Sequence, residues 1–221
     1  MDWLINSIGR GNKTTNPRGK TVIEDAHKEK AQIMSRTLSC GLVANVTKDE
    51  LQATVPVPTG VDNNEWLATN TLSFFKHIML VYDSVSEYCT PQHCTAVSNG
   101  AHMNFTWVDE KGKKIRLSAP QYIELVVVNI EKLVTDENIF PTKYDMHFPA
   151  NFVTIIKKIF RMLFHVLVHV YQSHIDHLEE SNQLNFLNTI FIHFMYFQTE
   201  HGLLDSKEIQ PLEDLIKSLC L

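Results

Sequence analysis

Phe152-Val-Thr-Ile-Ile-Lys-Lys-Ile-Phe-Arg-Met-Leu-Phe-His-Val-Leu-Val-His-Val-Tyr-Gln-Ser-His174 is the stretch whose reading decides the fold. Phe152, Ile155, Ile156, Ile159, Leu163, Val166, Leu167 and Val170 recur every three or four residues, which on a helix draws one broad apolar stripe. Pro149, just upstream, suits a helix start because its φ is already fixed. The apolar runs at 162–171 and 186–197 are broken by His, Asn or Thr and are too short to span a bilayer. The stretch therefore predicts the longest helix of a helical core.

Other helices gather around it. Asp62-Asn-Asn ahead of Glu65 is N-cap chemistry, and Trp66, Phe74, Phe75, Ile78, Val81, Val85 and Tyr88 follow at helical spacing up to a loop at Cys89. Pro120 opens a helix with Ile123, Val126, Val127, Ile130, Leu133 and Val134 inward. Residues 184–198 are apolar on nearly every side, as in a helix buried between others. Asp205-Ser-Lys-Glu208 has capping-box form, and Pro211 restarts a final helix through Leu212, Leu215, Ile216 and Leu219. Phe105-Thr-Trp107-Val-Asp109 and Ile115-Arg-Leu117 alternate about Gly112, which predicts a β-hairpin. Residues 40–59 read as extended or irregular, and 24–37 as a short helix. The expected class is all-α: a single helical-bundle domain with a small hairpin. Its divisions are a flexible arm at 1–24, an N-terminal extension at 25–55 and a core domain at 56–221.

At 221 residues and 44% hydrophobic, the chain can bury one sizeable core. Its net charge of −5 argues against general nucleic-acid binding and permits a basic partner. Met1-Asp-Trp-Leu-Ile-Asn has no basic lead into an apolar run, so no signal peptide is expected. Four cysteines are too few to frame a secreted domain of this size, and Cys40 and Cys220 stand alone, as in a reducing compartment.

The other two cysteines carry chemistry. Cys89-Thr-Pro-Gln-His-Cys94 offers two thiolates, and His165, His169, His174 and His177 offer imidazoles, a soft-plus-nitrogen set that suits tetrahedral zinc. Spacing leaves the histidine pair open. His165 with His169 share a helical face, and so do His174 with His177. His169 and His174 sit about 140° apart on an ideal helix and converge only if it loosens near Gln172-Ser173. A hydrolytic zinc site is disfavoured. His165-Val-Leu-Val-His169 has zincin spacing, but Val166 stands where the Glu base belongs, and no phosphate loop or nucleophile elbow occurs. Asp176, Glu179 and Glu180 read as a solvated helix end.

From about Pro56 to its C-terminus the chain resembles the Mob family of kinase-regulating adaptors. The resemblance rests on Asn64-Glu-Trp-Leu-Ala-Thr-Asn-Thr71 with Phe74-Phe75, Glu87-Tyr-Cys89 with Cys94, and Ser118-Ala-Pro-Gln-Tyr122. It continues through Phe140-Pro-Thr-Lys-Tyr144, Leu163-Phe-His-Val-Leu-Val-His169-Val-Tyr171, Leu187-Asn-Thr189 and His193-Phe194. Met1-Asp-Trp-Leu4, Val134-Thr-Asp-Glu137 and Leu219-Cys220 are similar to the family's second subclass.

This resemblance implies one structural zinc held by Cys89, Cys94, His169 and His174, with His165 outside the ligand set. It also implies docking to the basic N-terminal segment of NDR/LATS-type serine/threonine kinases, with Asp62, Glu65 and His193 on the contact surface. Val61, Asn63 and Ser73 depart from the family's contact residues, which bears on kinase preference. The basic phosphopeptide pocket of the activating relatives falls on Arg161, Met162 and His165, where one full-time cation survives. The expected protein is a non-enzymatic monomer of cytoplasm and nucleus, without nucleic-acid binding or membrane insertion. It would either activate its kinase or occupy it without activating it.

Overall fold

A computed structural model describes residues 41–44, 46–95, 105–108, 111–143 and 145–218. The expected arm at 1–24, the helix at 24–37, Cys40, Tyr144, Leu219 and Cys220 lie outside the described residues. The described elements are α1 (Lys48–Ala53), α2 (Asn63–Asp83), β1 (Thr106–Val108), β2 (Lys114–Arg116), α3 (Ala119–Val134) and α4 (Phe152–Ser173). After these come α5 (Ile175–Glu180), α6 (Leu184–His201), α7 (Ser206–Ile209), a 3₁₀ turn (Gln210–Leu212) and α8 (Glu213–Ser218). The molecule is mostly helical, with one two-stranded sheet.

Helix α4 is the axis of the core. Its apolar stripe is so wide that Ile156, Ile159, Phe160, Leu163, Phe164, Val166, Leu167 and Val168 are fully buried. Helix α2 lies along it, α3 covers another side, and α6 rests on α2. Phe160 stacks on Phe194 at 4.9 Å, and Phe74 meets Phe194 edge-on at 5.4 Å, so aromatic rings lock α2, α4 and α6 together. Each ring so buried contributes about 1.5–3 kcal/mol. Tyr171 is buried on the same axis and donates its hydroxyl to Asn188 at 3.0 Å, so neither polar group is left unpaired.

Element ends follow local chemistry. Asp62 caps α2, its carboxylate accepting from the Asn64 and Glu65 amides at 2.8 and 3.2 Å. Gly202 closes α6 at φ 59°, and the amides of Gly202 and Leu203 bond back to Thr199 and Gln198, a Schellman closure that needs the left-handed backbone. The hairpin pairs Trp107 with Ile115 in antiparallel register, and Gly112 turns at φ 77°.

Three expectations differ from the structure. Residues 40–59 contain a helix: Thr47 and Glu50 form a reciprocal capping box that starts α1. Helix α2 ends at Asp83 rather than at Cys89, and turns from Ser84 to Tyr88 leave Tyr88 exposed. Asp205 makes no side-chain cap at α7, and the Glu208 carboxylate pairs with Arg161 instead of reaching back to it.

Candidate functional site

Helix α4 breaks just after Gln172-Ser173, close to the loosening on which a His169–His174 pair depends. His174 adopts φ −133° and ψ 13°, outside the helical range, between the end of α4 and the start of α5. That break swings His174 back toward His169, and their Nε2 atoms lie 3.1 Å apart. The turns after α2 bring Cys89 beneath them, with Sγ 3.2 Å from His169 Nε2, while Cys94 Sγ lies 3.5 Å from His174 Nε2. All four donor atoms fall within 4.8 Å of one another. A tetrahedron with metal bonds of about 2.0–2.3 Å has edges of about 3.3–3.8 Å, so the cluster has the size of a zinc shell.

The electrostatics favour a cation. The Cys94 thiol donates to Cys89, and with His169 and His174 it outweighs burial, holding the Cys89 thiol well below its ordinary range. The same neighbour, together with burial, pushes Cys94 up. Two thiolates side by side repel, and a divalent cation between them removes that opposition. Burial, then a hydrogen bond to Cys89, raises the Tyr82 phenol, which stays neutral beside the sulfur. Cys89, His169 and His174 are buried and Cys94 is half-buried, so bulk water has little access.

His165 and His177 lie outside this cluster. His177 stacks on Tyr88 with centroids 3.9 Å apart. His165 Nδ1 accepts from the Tyr122 hydroxyl at 2.7 Å, leaving its Nε2 to face Glu208 at 3.4 Å. Burial lowers the His165 pKa despite that carboxylate. Arg161 Nε donates to the other Glu208 oxygen at 3.0 Å. Of the three expected pocket residues, Arg161 and His165 therefore meet at Glu208, whereas Met162 is buried in the core at 5% exposure. Glu208 and Tyr122 went unrecognised as partners in the sequence, Glu208 because its spacing from Asp205 reads as a cap.

Asp62, the N-cap of α2, and Glu65, in its first turn, are both exposed. The next residue, Trp66, is half-buried and donates its indole N–H to the Val55 carbonyl at 3.0 Å. His193 reaches the same side from α6. Its ring packs on Phe74 at 4.9 Å and its Nε2 contacts the Thr54 hydroxyl at 3.1 Å. Burial, and then nearby His77, lowers its pKa. Val61, 42% exposed, adds an apolar spot beside the carboxylates.

The profile of the Mob1/phocein family matches residues 43–212. The chain is 39% identical over 220 residues to the Homo sapiens protein named MOB kinase activator 2, an alignment covering 100% of this chain and 88% of that one. It is 42% identical over 178 residues to MOB kinase activator-like 1 homolog B of Dictyostelium discoideum, covering 80% of this chain and 82% of the relative. With MOB kinase activator-like 1A of Arabidopsis thaliana it shares 36% over 214 residues, 96% of each chain. The family match takes in the helical core and all four clustered donors, and the chain belongs to the Mob1/phocein family.

Proposed function

We propose that this chain is a non-catalytic, zinc-stabilised adaptor that binds the basic N-terminal regulatory segment of NDR/LATS-type kinases and modulates their activity. Near full-length similarity to proteins named kinase activators carries the kinase part of this reading. Cys89, Cys94, His169 and His174 would hold one zinc. Four protein donors fill a tetrahedral shell and leave no position for substrate, so the metal would tie the α2–β1 connection to the end of α4. On the surface, Glu65 stands exposed beside Trp66 and Val61, and Arg or Lys side chains of a kinase helix would meet it in charge-assisted bonds around an apolar anchor.

A second reading, occupation of the kinase without activation, draws on the α4 surface. Where the activating relatives are expected to carry a phosphopeptide pocket, Arg161 is paired with Glu208 and Met162 is buried. A chain without that pocket would keep the kinase site and lose the upstream input. One experiment separates the two: an activity assay of a purified NDR-type kinase with this chain alone and with this chain competing against an activating relative. Stimulation by the chain alone supports the activator. Suppression of the relative's stimulation supports the competitor. No effect in either arm contradicts both.

A further inference from the structure

Helix α2 has two flanks. One carries Trp66, Ser73 and His77, which share a helix face next to Phe74, the residue whose ring packs on His193 of α6. The other faces α3, and there the two helices leave a groove of about 470 Å³. Phe75, Met79, Leu80 and Val127 give it apolar walls. On a regular helix the midpoint of these α2 positions lies about 100° around from the Trp66–Ser73 flank, with Leu80, seven residues on from Ser73, at the edge the two surfaces share.

Its rim is acidic. Asp83 stands on the α2 side, with Glu124 and Glu131 on the α3 side and Lys76 as the cation of the lining. Among the described residues, no ion pair engages Asp83, Glu124 or Glu131. Glu124 and Glu131 are seven residues apart, two turns or about 10.5 Å along one helix face. Between them on that face lies Val128, 57% exposed, while across the groove Leu80 is 50% exposed. Apolar surface thus runs out of the groove onto its rim, between carboxylates that form no ion pair among the described residues.

We propose that this groove is a second docking surface, and that its occupant is an amphipathic basic helix of a partner protein. Charge decides the occupant. An apolar ridge would fill the space over Met79, whose unbranched side chain adapts to the shape of the ligand. Lys or Arg spaced two turns apart would meet Glu124 and Glu131, with a further cation on the opposite edge for Asp83. This is the helix-in-groove mode of recognition. A second copy of this chain fits less well, since like acidic rims would face each other. The groove's occupancy does not depend on the kinase reading.

The test uses the full-length, zinc-loaded chain labelled for NMR. The probe is a synthetic helical peptide with Leu at three- and four-residue spacing and Arg on both flanks, compared with the same peptide carrying Glu for each Arg. The Arg peptide should shift amides at 75–83 and 121–131 saturably. Glu124→Lys with Glu131→Lys should weaken binding at least tenfold; both side chains are exposed, so the fold should persist. Glu65→Lys separates the surfaces, lowering affinity for a kinase segment and leaving affinity for the peptide. The proposal is overturned if the shifts centre on 62–73, if the Glu peptide binds equally, or if the double variant binds like the parent. Groove shifts that grow with the chain's own concentration would point to self-association and overturn it too.

Discussion

His174 shows how much one backbone conformation decides. On an unbroken helix it would point about 140° away from His169. At φ −133° its imidazole comes to 3.1 Å from its partner. His165, with better helical spacing, is engaged by Tyr122 and Glu208. His165→Gln is therefore expected to keep one zinc per chain by elemental analysis, while Cys94→Ser loses it; zinc loss from the His165 variant would mean a different ligand set. His193 supports a second prediction at this scale. Burial lowers its folded pKa below the ordinary 6.5. Below pH 6.5 the unfolded chain then binds more protons than the folded one. Its stabilising contribution is complete above that value and is lost as pH falls toward the lowered folded pKa. An NMR titration of the imidazole should give a midpoint below 6.5, and a midpoint above it would contradict the burial argument.

At the scale of elements, the long helices and the short last one after Pro211 were legible, and α1 was not. Helices α2, α3, α4 and α6 announce themselves because a repeated apolar face over four or more turns has few other readings. Helix α1 has six residues and none is buried, so no stripe marks it; only the Thr47–Glu50 box does. At α7 the Asp205–Glu208 spacing does mark a helix start, but the side-chain cap is not made, and Glu208 serves a tertiary purpose, pairing with Arg161 and His165. Met162 was misleading for a related reason: neighbouring positions on a helix face different ways, and it points into the core beside an exposed Arg161. Glu208 fastens the C-terminal segment to α4. The Arg161 and Glu208 side chains are 50% and 26% exposed, so solvent screens the pair. Glu208→Gln should cost about 1 kcal/mol, and amide hydrogen exchange should quicken across 206–218 while α4 stays protected. Unchanged exchange in that segment would show that apolar contacts of Leu212 and Leu215 hold it without the ion pair.

For the molecule as a whole, the four donors come from two distant stretches of chain, so a metal held there would cross-link the α2–β1 connection to the α4–α5 break. A structural zinc contributes about 10–16 kcal/mol in small zinc peptides. This chain has a large aromatic core of its own, so the share should be smaller, and chelation should lower the unfolding temperature markedly without making the core molten. Calorimetric scans with and without a chelator check this; superimposable scans would contradict a structural metal. The donor set could be listed from the sequence but not paired, because a helix break is invisible to periodicity. The proposed docking surface was legible only in part: Asp62 and Glu65 stand out as carboxylates at the start of α2, whereas the approach of His193 from α6 depends on packing through Phe74. The central claim is that this exposed surface receives a basic kinase segment. Isothermal titration of the zinc-loaded chain with the N-terminal segment of an NDR-type kinase tests it most directly. Saturable binding by the parent, at least tenfold weaker for Glu65→Lys with zinc content unchanged, is the predicted result; equal binding by parent and variant, or none by the parent at low salt, would contradict the account.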